Sequence, residues 1–180
     1  MKSWKQIQSE VLLETPYVNV RVDRCAMPDG RVVPQYYVLD SSDWANVVAL
    51  DKNNQLVMVR QYRYAGNEVC LEFPGGVCEE ESAEAAVTRE LLEETGYRPQ
   101  TVKLLGVHRP NPALQSNFLY SFLALDCEKV ATQNLDPHEE IEVELLPVSE
   151  LWKLVQSGQF SHSLMLASLM LAHPYLQNLE

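Results

Sequence analysis

A mixed α/β sheet covered by helices, preceded by a small unit of β-hairpins, is the architecture that this sequence predicts. Three observations lead there. From Val11 to Asp40 the chain favours strands, with apolar and polar side chains alternating at period two between turn residues. The middle of the chain carries apolar runs of strand length around one Ala-, Leu- and Glu-rich segment of helical character. Two further helical stretches close the chain. The length of 180 residues suits one ordinary domain with a small appendage, and an apolar content of 46% supplies a core and excludes a disordered chain.

Taken in order, Val18-Asn19-Val20-Arg21-Val22-Asp23-Arg24 alternates strictly, Pro28-Asp29-Gly30 marks a turn, and Val32 to Leu39 returns as a second strand. A hairpin unit of this size is too small to bury a core of its own, so it must pack on the rest of the chain or on another copy. Residues 1–44 are expected to form this unit and residues 45–180 the main domain. Ser41-Ser42-Asp43 breaks the pattern. Asn46–Leu50 and Leu56–Arg60 then flank the polar turn Asp51–Gln55 as a second hairpin. Val69 to Phe73 is a short strand that stops at Pro74-Gly75-Gly76. Ser82 caps a helix from Ala83 to Thr95, with Gly96 where a left-handed residue belongs. Strands follow at Val102–Val107, Phe118–Leu125 and Ile141–Leu146, and helices at Ser149–Gln156 and Ser161–Ala172.

Charge narrows the function. Against 14 Lys and Arg stand 25 Asp and Glu, a formal net charge of −11. Such a surface repels phosphate backbones and anionic lipid, so neither nucleic acid nor a membrane is an expected partner. The densest basic stretch, Arg60 to Arg63, holds only two charges. The four cysteines form no CxxC pair or zinc-like cluster and read as reduced thiols. Met1 to Gln8 has no apolar signal region, and the longest apolar run, near Leu164–Ala172, falls short of a membrane span. A cytoplasmic protein is expected.

Glu90, Glu93 and Glu94 stand at i, i+3 and i+4 of the predicted helix and share one face. Like charges at that spacing destabilise a helix, and Arg89, four residues before Glu93, cannot neutralise all three. Hard oxygen ligands on a rigid element suit Mg²⁺ or Mn²⁺. A solvated acidic face is the plainer explanation of such a helix. The surrounding spacing argues against it here: Gly75-x5-Glu81-x7-Arg89-Glu90-Leu91-x-Glu93-Glu94-x-Gly96-Tyr97 resembles the Nudix box, with Tyr97 in place of the usual aliphatic residue. The seven matched positions would coincide by chance with a probability on the order of 10⁻⁸ to 10⁻⁹ per start position.

What this resemblance, which extends from about Asn46 to Ser157, implies is a Nudix α/β/α sandwich that hydrolyses a nucleoside diphosphate linked to a second group. Metals would be held by Glu90 and Glu94, with help from Glu93 and from the carbonyl of Pro74, and Arg89 would orient the carboxylates. Mg²⁺ is the implied cofactor and Mn²⁺ its substitute. Pro112, fifteen residues after Tyr97, lies within a stretch, His108 to Asn117, that resembles a loop of the ADP-ribose pyrophosphatase and nucleoside diphosphate sugar hydrolase branch. That branch also carries an N-terminal hairpin unit and exchanges it across a homodimer, so a homodimer is implied, and Arg109, Pro112 and Gln115 in the His108–Asn117 stretch become candidate substrate contacts. Arg63 sits where the branch places a phosphate- or ribose-binding arginine, a role suited to a planar guanidinium. Trp44, just before the first core strand, is placed to stack on a base.

The branch takes its general base from a glutamate on a loop after the box. Asp136-Pro137-His138-Glu139-Glu140 is the dense acidic loop there. Glu139 is favoured over Glu140 because strand should begin at Ile141, and His138 is the runner-up. The leading expectation is Mg²⁺-dependent hydrolysis of ADP-ribose or a related nucleoside diphosphate sugar to a nucleoside monophosphate and a sugar phosphate. The alternatives are hydrolysis of nucleoside triphosphates or dinucleoside polyphosphates, and a non-catalytic nucleotide-sensing module. The box holds seven glutamates and one arginine, and Asp136 to Glu144 holds five carboxylates. These two segments account for the whole net charge and are expected to face each other across a metal-filled cleft.

Overall fold

The structure, a computed structural model, describes residues 1–16 and 18–179. The chain divides into two compact units, Met1–Ser42 with Arg109–Phe118, and Asp43–His108 with Leu119–Glu180.

The first unit is a three-stranded antiparallel sheet in the order β1 (Lys5–Glu14), β2 (Asn19–Ala26), β3 (Val32–Asp40). The turn at Pro28-Asp29-Gly30 closes as the sequence predicts, with Met27 N–H donating to the Arg31 carbonyl at 2.8 Å and Gly30 at φ 89°. Strand β1 starts at Lys5, ahead of the expected Val11. Its polar residues Lys5, Gln6, Gln8, Ser9 and Glu10 have no strand signature, yet they pair in register with Ala26 back to Val22. All ten residues of β1 are exposed, and Val38 is the one buried apolar residue of the unit among those described.

The segment Arg109–Phe118 completes this unit. Leu39 N–H donates to the Leu114 carbonyl at 2.8 Å, Ser116 N–H returns a bond to Leu39 at 3.2 Å, and the Tyr36 hydroxyl reaches the Ala113 carbonyl at 2.8 Å. A segment expected inside the main domain therefore belongs with the N-terminal sheet, and the division falls after Ser42 instead of after residue 44.

The second unit is built on the strand order β11 (Ile141–Pro147), β5 (Gln55–Arg63), β4 (Trp44–Asp51), β10 (Leu119–Lys129), β8 (Tyr97–Arg98). To it β6 (Glu68–Glu72) adds on β5, β7 (Gly75–Val77) on β4, and β9 (Thr101–His108) on β10. Strands β4 and β10 run parallel and the other pairs antiparallel, so the sheet is mixed. The hairpin expected between β4 and β5 diverges after two pairs, Ala49 with Val57 and Leu50 with Leu56. Upstream, β4 pairs instead with β7, Asn46 opposite Gly75. Strands β7 and β8 are too short to leave a periodic signal, and Gly75-Gly76 reads as a stop, so sequence reasoning missed both.

Period two along β4 produces the sandwich. Val48 and Leu50 join Leu151 of α2 (Val148–Gln156) and Met165 and Leu169 of α3 (Ser163–Leu176) on one face. Val47 and Ala49 join Val87 and Leu91 of α1 (Ala83–Thr95) on the other, together with Tyr97, which fills an apolar position at 8% exposure. Helix α1 has the boundaries its sequence predicts. The Ser82 hydroxyl accepts from Ala85 N–H at 3.2 Å, and Gly96 ends the helix at φ 77°.

Candidate active site

Four backbone and side-chain devices assemble the site around α1. The first is Arg89. Its Nε donates to Glu81 at 2.9 Å, and its Nη1 to Glu90 at 3.0 Å and to Glu93 at 2.8 Å. One guanidinium thus gathers three of the box carboxylates. Burial alone would lower the pKa of Arg89, but the bonds to Glu93 and Glu81 and the charge of Glu90 outweigh it and hold the group firmly protonated.

The second device is the β6–β7 corner. Gly75 lies so close to β4 that a Cβ there would run into the Ala45 carbonyl oxygen. That approach lets Gly75 N–H donate to the Glu94 carboxylate at 3.0 Å. The Pro74 carbonyl, facing β4, accepts from Val47 N–H at 3.0 Å and keeps a second lone pair.

Glu94 is the third. It is buried at 6% exposure, and desolvation pushes its carboxyl up to about 8. The Gly75 N–H and the charge of Arg63 work against that shift, while the charges of Glu90 and Glu139 add to it. Glu90 is raised as well, first by burial and then, against the pull of Arg89, by the charges of Glu93 and Glu139.

The fourth device hangs the acidic loop on α1. The last carbonyls of a helix lack intrahelical partners, and here Asn134 N–H donates to Glu93 at 2.8 Å while Val130 N–H donates to Gly96 at 2.9 Å. The Gln133 side chain donates to the Glu94 carbonyl at 2.7 Å. Within the loop, Glu139 folds back so that its carboxylate accepts from Asp136 N–H at 3.0 Å. Glu139 is the carboxylate of this loop whose charge acts on both Glu90 and Glu94, whereas Glu140 is exposed. Farther along, Glu144 on β11 pairs with Arg60, so part of the acidic segment is neutralised and does not belong to the cluster.

Among the expected site residues, Pro74, Arg89, Glu90, Glu93, Glu94, Glu139 and Arg63 come together in the second unit. Arg63 is not a free surface cation: its Nε and Nη2 bond Glu72 at 2.8 and 2.6 Å. Trp44 opens β4, half-buried, opposite Val77 and Leu119. Arg109, Pro112 and Gln115 lie in the first unit. There Arg109 bonds the Ser116 carbonyl at 2.7 Å and stacks over Phe118, Pro112 is exposed, and Gln115 bridges Leu39. Sequence reasoning missed Gln133 and Glu72. Neither has a local signal: Gln133 acts on Glu94, 39 residues away, and Glu72 acts on Arg63 only through the pairing of β5 with β6.

The donor set fits a hard divalent cation. Glu90, Glu94, Glu93 and the Pro74 carbonyl offer only oxygens, and the burial that raises Glu90 and Glu94, with the neighbouring carboxylate charges that add to it, is a cost that such a cation offsets. In the present arrangement Arg89 holds Glu90 and Glu93, Gly75 holds Glu94, and no group of three or more His, Cys, Asp or Glu among the described residues closes to metal-holding geometry.

Residues 43–168 match the NUDIX domain family, and residues 4–39 match the nucleoside diphosphate sugar hydrolase N-terminal domain. The ADP-ribose pyrophosphatase of Bacillus subtilis (strain 168) is 26% identical over 157 residues, 86% of this chain and 84% of its own length. The GDP-mannose pyrophosphatase of Klebsiella pneumoniae subsp. pneumoniae is 30% identical over 141 residues, 73% of this chain and 71% of its own. A crystal structure of an ADP compounds hydrolase superposes with a TM-score of 0.86 at 18% identity, covering 99% of this chain and 96% of that one.

Proposed function

Because the chain belongs to the Nudix domain family, we propose that it is a pyrophosphohydrolase that cleaves the diphosphate bond of ADP-ribose or a related nucleoside diphosphate sugar, releasing a nucleoside monophosphate and a sugar phosphate. The observation that carries this reading is the cluster in which Arg89 gathers Glu90 and Glu93 while the Gly75 N–H, next to Pro74, holds Glu94, with Glu139 in electrostatic reach. The match of residues 4–39 to the nucleoside diphosphate sugar hydrolase N-terminal domain, together with the ADP-ribose and GDP-mannose pyrophosphatases among the relatives, supports the substrate class.

Glu90, Glu94 and the Pro74 carbonyl, assisted by Glu93, hold the metal, which we take to be Mg²⁺ with Mn²⁺ as substitute. When bound it neutralises diphosphate charge and acidifies a water. Arg89 keeps Glu90 and Glu93 in place. Glu139, held by Asp136 N–H on the loop, accepts the proton of the attacking water, with Glu140 beside it as the second candidate. Arg63 contacts the diphosphate, and Trp44, Arg109, Pro112 and Gln115 contribute to substrate binding.

The active form is a homodimer. Supporting this, β1 exposes Ile7, Val11, Leu12 and Leu13, the apolar side chains that a second copy would cover. Among the described residues no helix is long and apolar enough to cross a membrane, and Cys25, Cys70, Cys78 and Cys127 are free thiols, which suits the cytoplasm. The deciding experiment offers ADP-ribose, ADP-glucose, UDP-glucose, GDP-mannose and dinucleoside polyphosphates with Mg²⁺ and identifies the products by chromatography. AMP plus ribose phosphate from ADP-ribose supports the reading. Turnover confined to nucleoside triphosphates or dinucleoside polyphosphates defeats it.

A further inference from the structure

Glu72, the last residue of β6, keeps only 2% of its side chain exposed. Its two oxygens accept from one edge of Arg63, Nε at 2.8 Å and Nη2 at 2.6 Å. On its other side stands His162. The Nδ1 of that ring accepts from Leu164 N–H at 3.3 Å, so the neutral ring carries its proton on Nε2, which lies 4.0 Å from Glu72. Register places the pair on a common face: Glu72 lies opposite Val59, and Arg63 follows Val59 at an even spacing along β5.

A buried ion pair is weak evidence of a stabilising role, because apolar residues of the same volume commonly do as well. The asymmetry of this pair is more informative. Arg63, unlike its partner, is 46% exposed. With Nε and one proton of Nη2 committed to Glu72, the two protons of Nη1 and the second of Nη2 remain for a ligand. The charge of Glu94 acts on Arg63 too, so the guanidinium is in electrostatic reach of the carboxylate helix. An arginine anchored along one edge has already lost much of its rotamer freedom before a ligand arrives.

We propose that Glu72 is a positioning residue: it clamps one edge of Arg63 and so holds the other edge ready for a diphosphate oxygen of the substrate. The inference rests on the reading of Arg63 as a diphosphate contact, and it adds the group that makes the contact possible. Glu72 itself touches no substrate. It acts through Arg63, with His162 fencing its far side.

Steady-state kinetics with Mg²⁺ and whichever of ADP-ribose and GDP-mannose the wild type hydrolyses test this. Arg63→Ala and Glu72→Gln are each expected to raise KM about tenfold or more, the worth of a charge-assisted hydrogen bond, with kcat within about threefold of wild type. The double variant is expected to match Arg63→Ala alone, since Glu72 then has nothing to hold. Arg63→Ala strands a buried carboxylate, so Arg63→Lys, which keeps the charge and loses the fork, is measured beside it and is expected to raise KM as well. Should Glu72→Gln fail to fold, Glu72→Asp replaces it, drawing the carboxylate back by one methylene. Fold increases in KM that multiply in the double variant, or a wild-type KM for the Glu72 variant, overturn the inference. A wild-type KM for both Arg63 variants overturns the role of Arg63 itself, and a wild type that hydrolyses neither substrate overturns the proposed function on which both rest.

Discussion

The side chain of Gln133 donates to the main-chain carbonyl of Glu94 at 2.7 Å, and its second amide proton reaches Ile141 at 3.0 Å. The first of these carbonyls belongs to the end of α1, the second to the first residue of β11. The acidic loop between Gln133 and Ile141 is thereby closed onto the helix that carries the box glutamates.

Gln133→Ala removes both bonds and frees the loop that bears Glu139. The expected result is a fall in kcat of about tenfold, with a stability loss of about 1–3 kcal/mol from the two unpaired carbonyls. Rate and thermal midpoint measured on the same sample check it. A variant that loses stability but keeps its kcat would show that the loop does not take part in chemistry.

Glu90→Gln and Glu94→Gln keep side-chain volume and remove charge. Each should slow hydrolysis by about a thousandfold or more if both carboxylates hold the metal. Mg²⁺ should raise the thermal midpoint of the wild type and chelator should reverse it, because an ion bound only by the folded state stabilises that state. Either variant retaining the full Mg²⁺-dependent shift would remove its carboxylate from the ligand set.

Gly75→Ala places a methyl group against the Ala45 carbonyl and the Asn46 backbone. Backbone cannot yield as a side-chain tip does, so a destabilisation of about 1–3 kcal/mol is expected, read by denaturant titration. Activity should fall further than stability, because the same shift withdraws the Gly75 N–H from Glu94 and displaces Pro74. An alanine variant with wild-type midpoint and rate would mean that the corner is not tight.

Asp23 connects the N-terminal sheet to pH. Burial acts to raise its carboxyl, but the bonds from Ser9 and Gln6 and the charge of Arg21 outweigh it and hold the group below its ordinary value of 3.8. A folded-state value below the unfolded one means stability that is complete above the ordinary carboxylate range and is lost as pH falls through the folded value. Asp23→Asn should therefore be less stable than wild type near neutrality, and the difference should shrink on acidification between about pH 5 and 2. A constant difference across that range would mean that the carboxylate charge is not what Gln6 and Arg21 stabilise.

What could be read from the sequence was what is local. Ser82, Gly96 and the spacing from Glu81 to Glu94 lie within one helix and its flanks, and they specify α1 and its carboxylates almost to the residue. The apolar stretch Asn46–Leu50 beside the polar turn Asp51–Gln55 foretold a strand, and its burial on both faces follows from that strand's place between β5 and β10. The rest depends on partners far away in the chain. Lys5 to Glu10 are strand only because β2 lies beside them, and Glu72 looks like an ordinary strand-end charge until Arg63 and His162 close around it. Gln133 shows nothing in its neighbours that marks it as the staple of α1.

The discontinuity of the N-terminal sheet bears on how this chain is made. Tyr36 and Ala113, which bond at 2.8 Å, are separated by 77 residues. On a ribosome the first strands emerge early, but their last backbone partner arrives only after β4 to β9 have been synthesised, so closure of the sheet waits on a long loop. The unit is consequently not a cassette. Grafting Met1–Ser42 onto a related enzyme would transfer three strands without their companion segment, and a working chimaera has to carry Arg109–Phe118 with them.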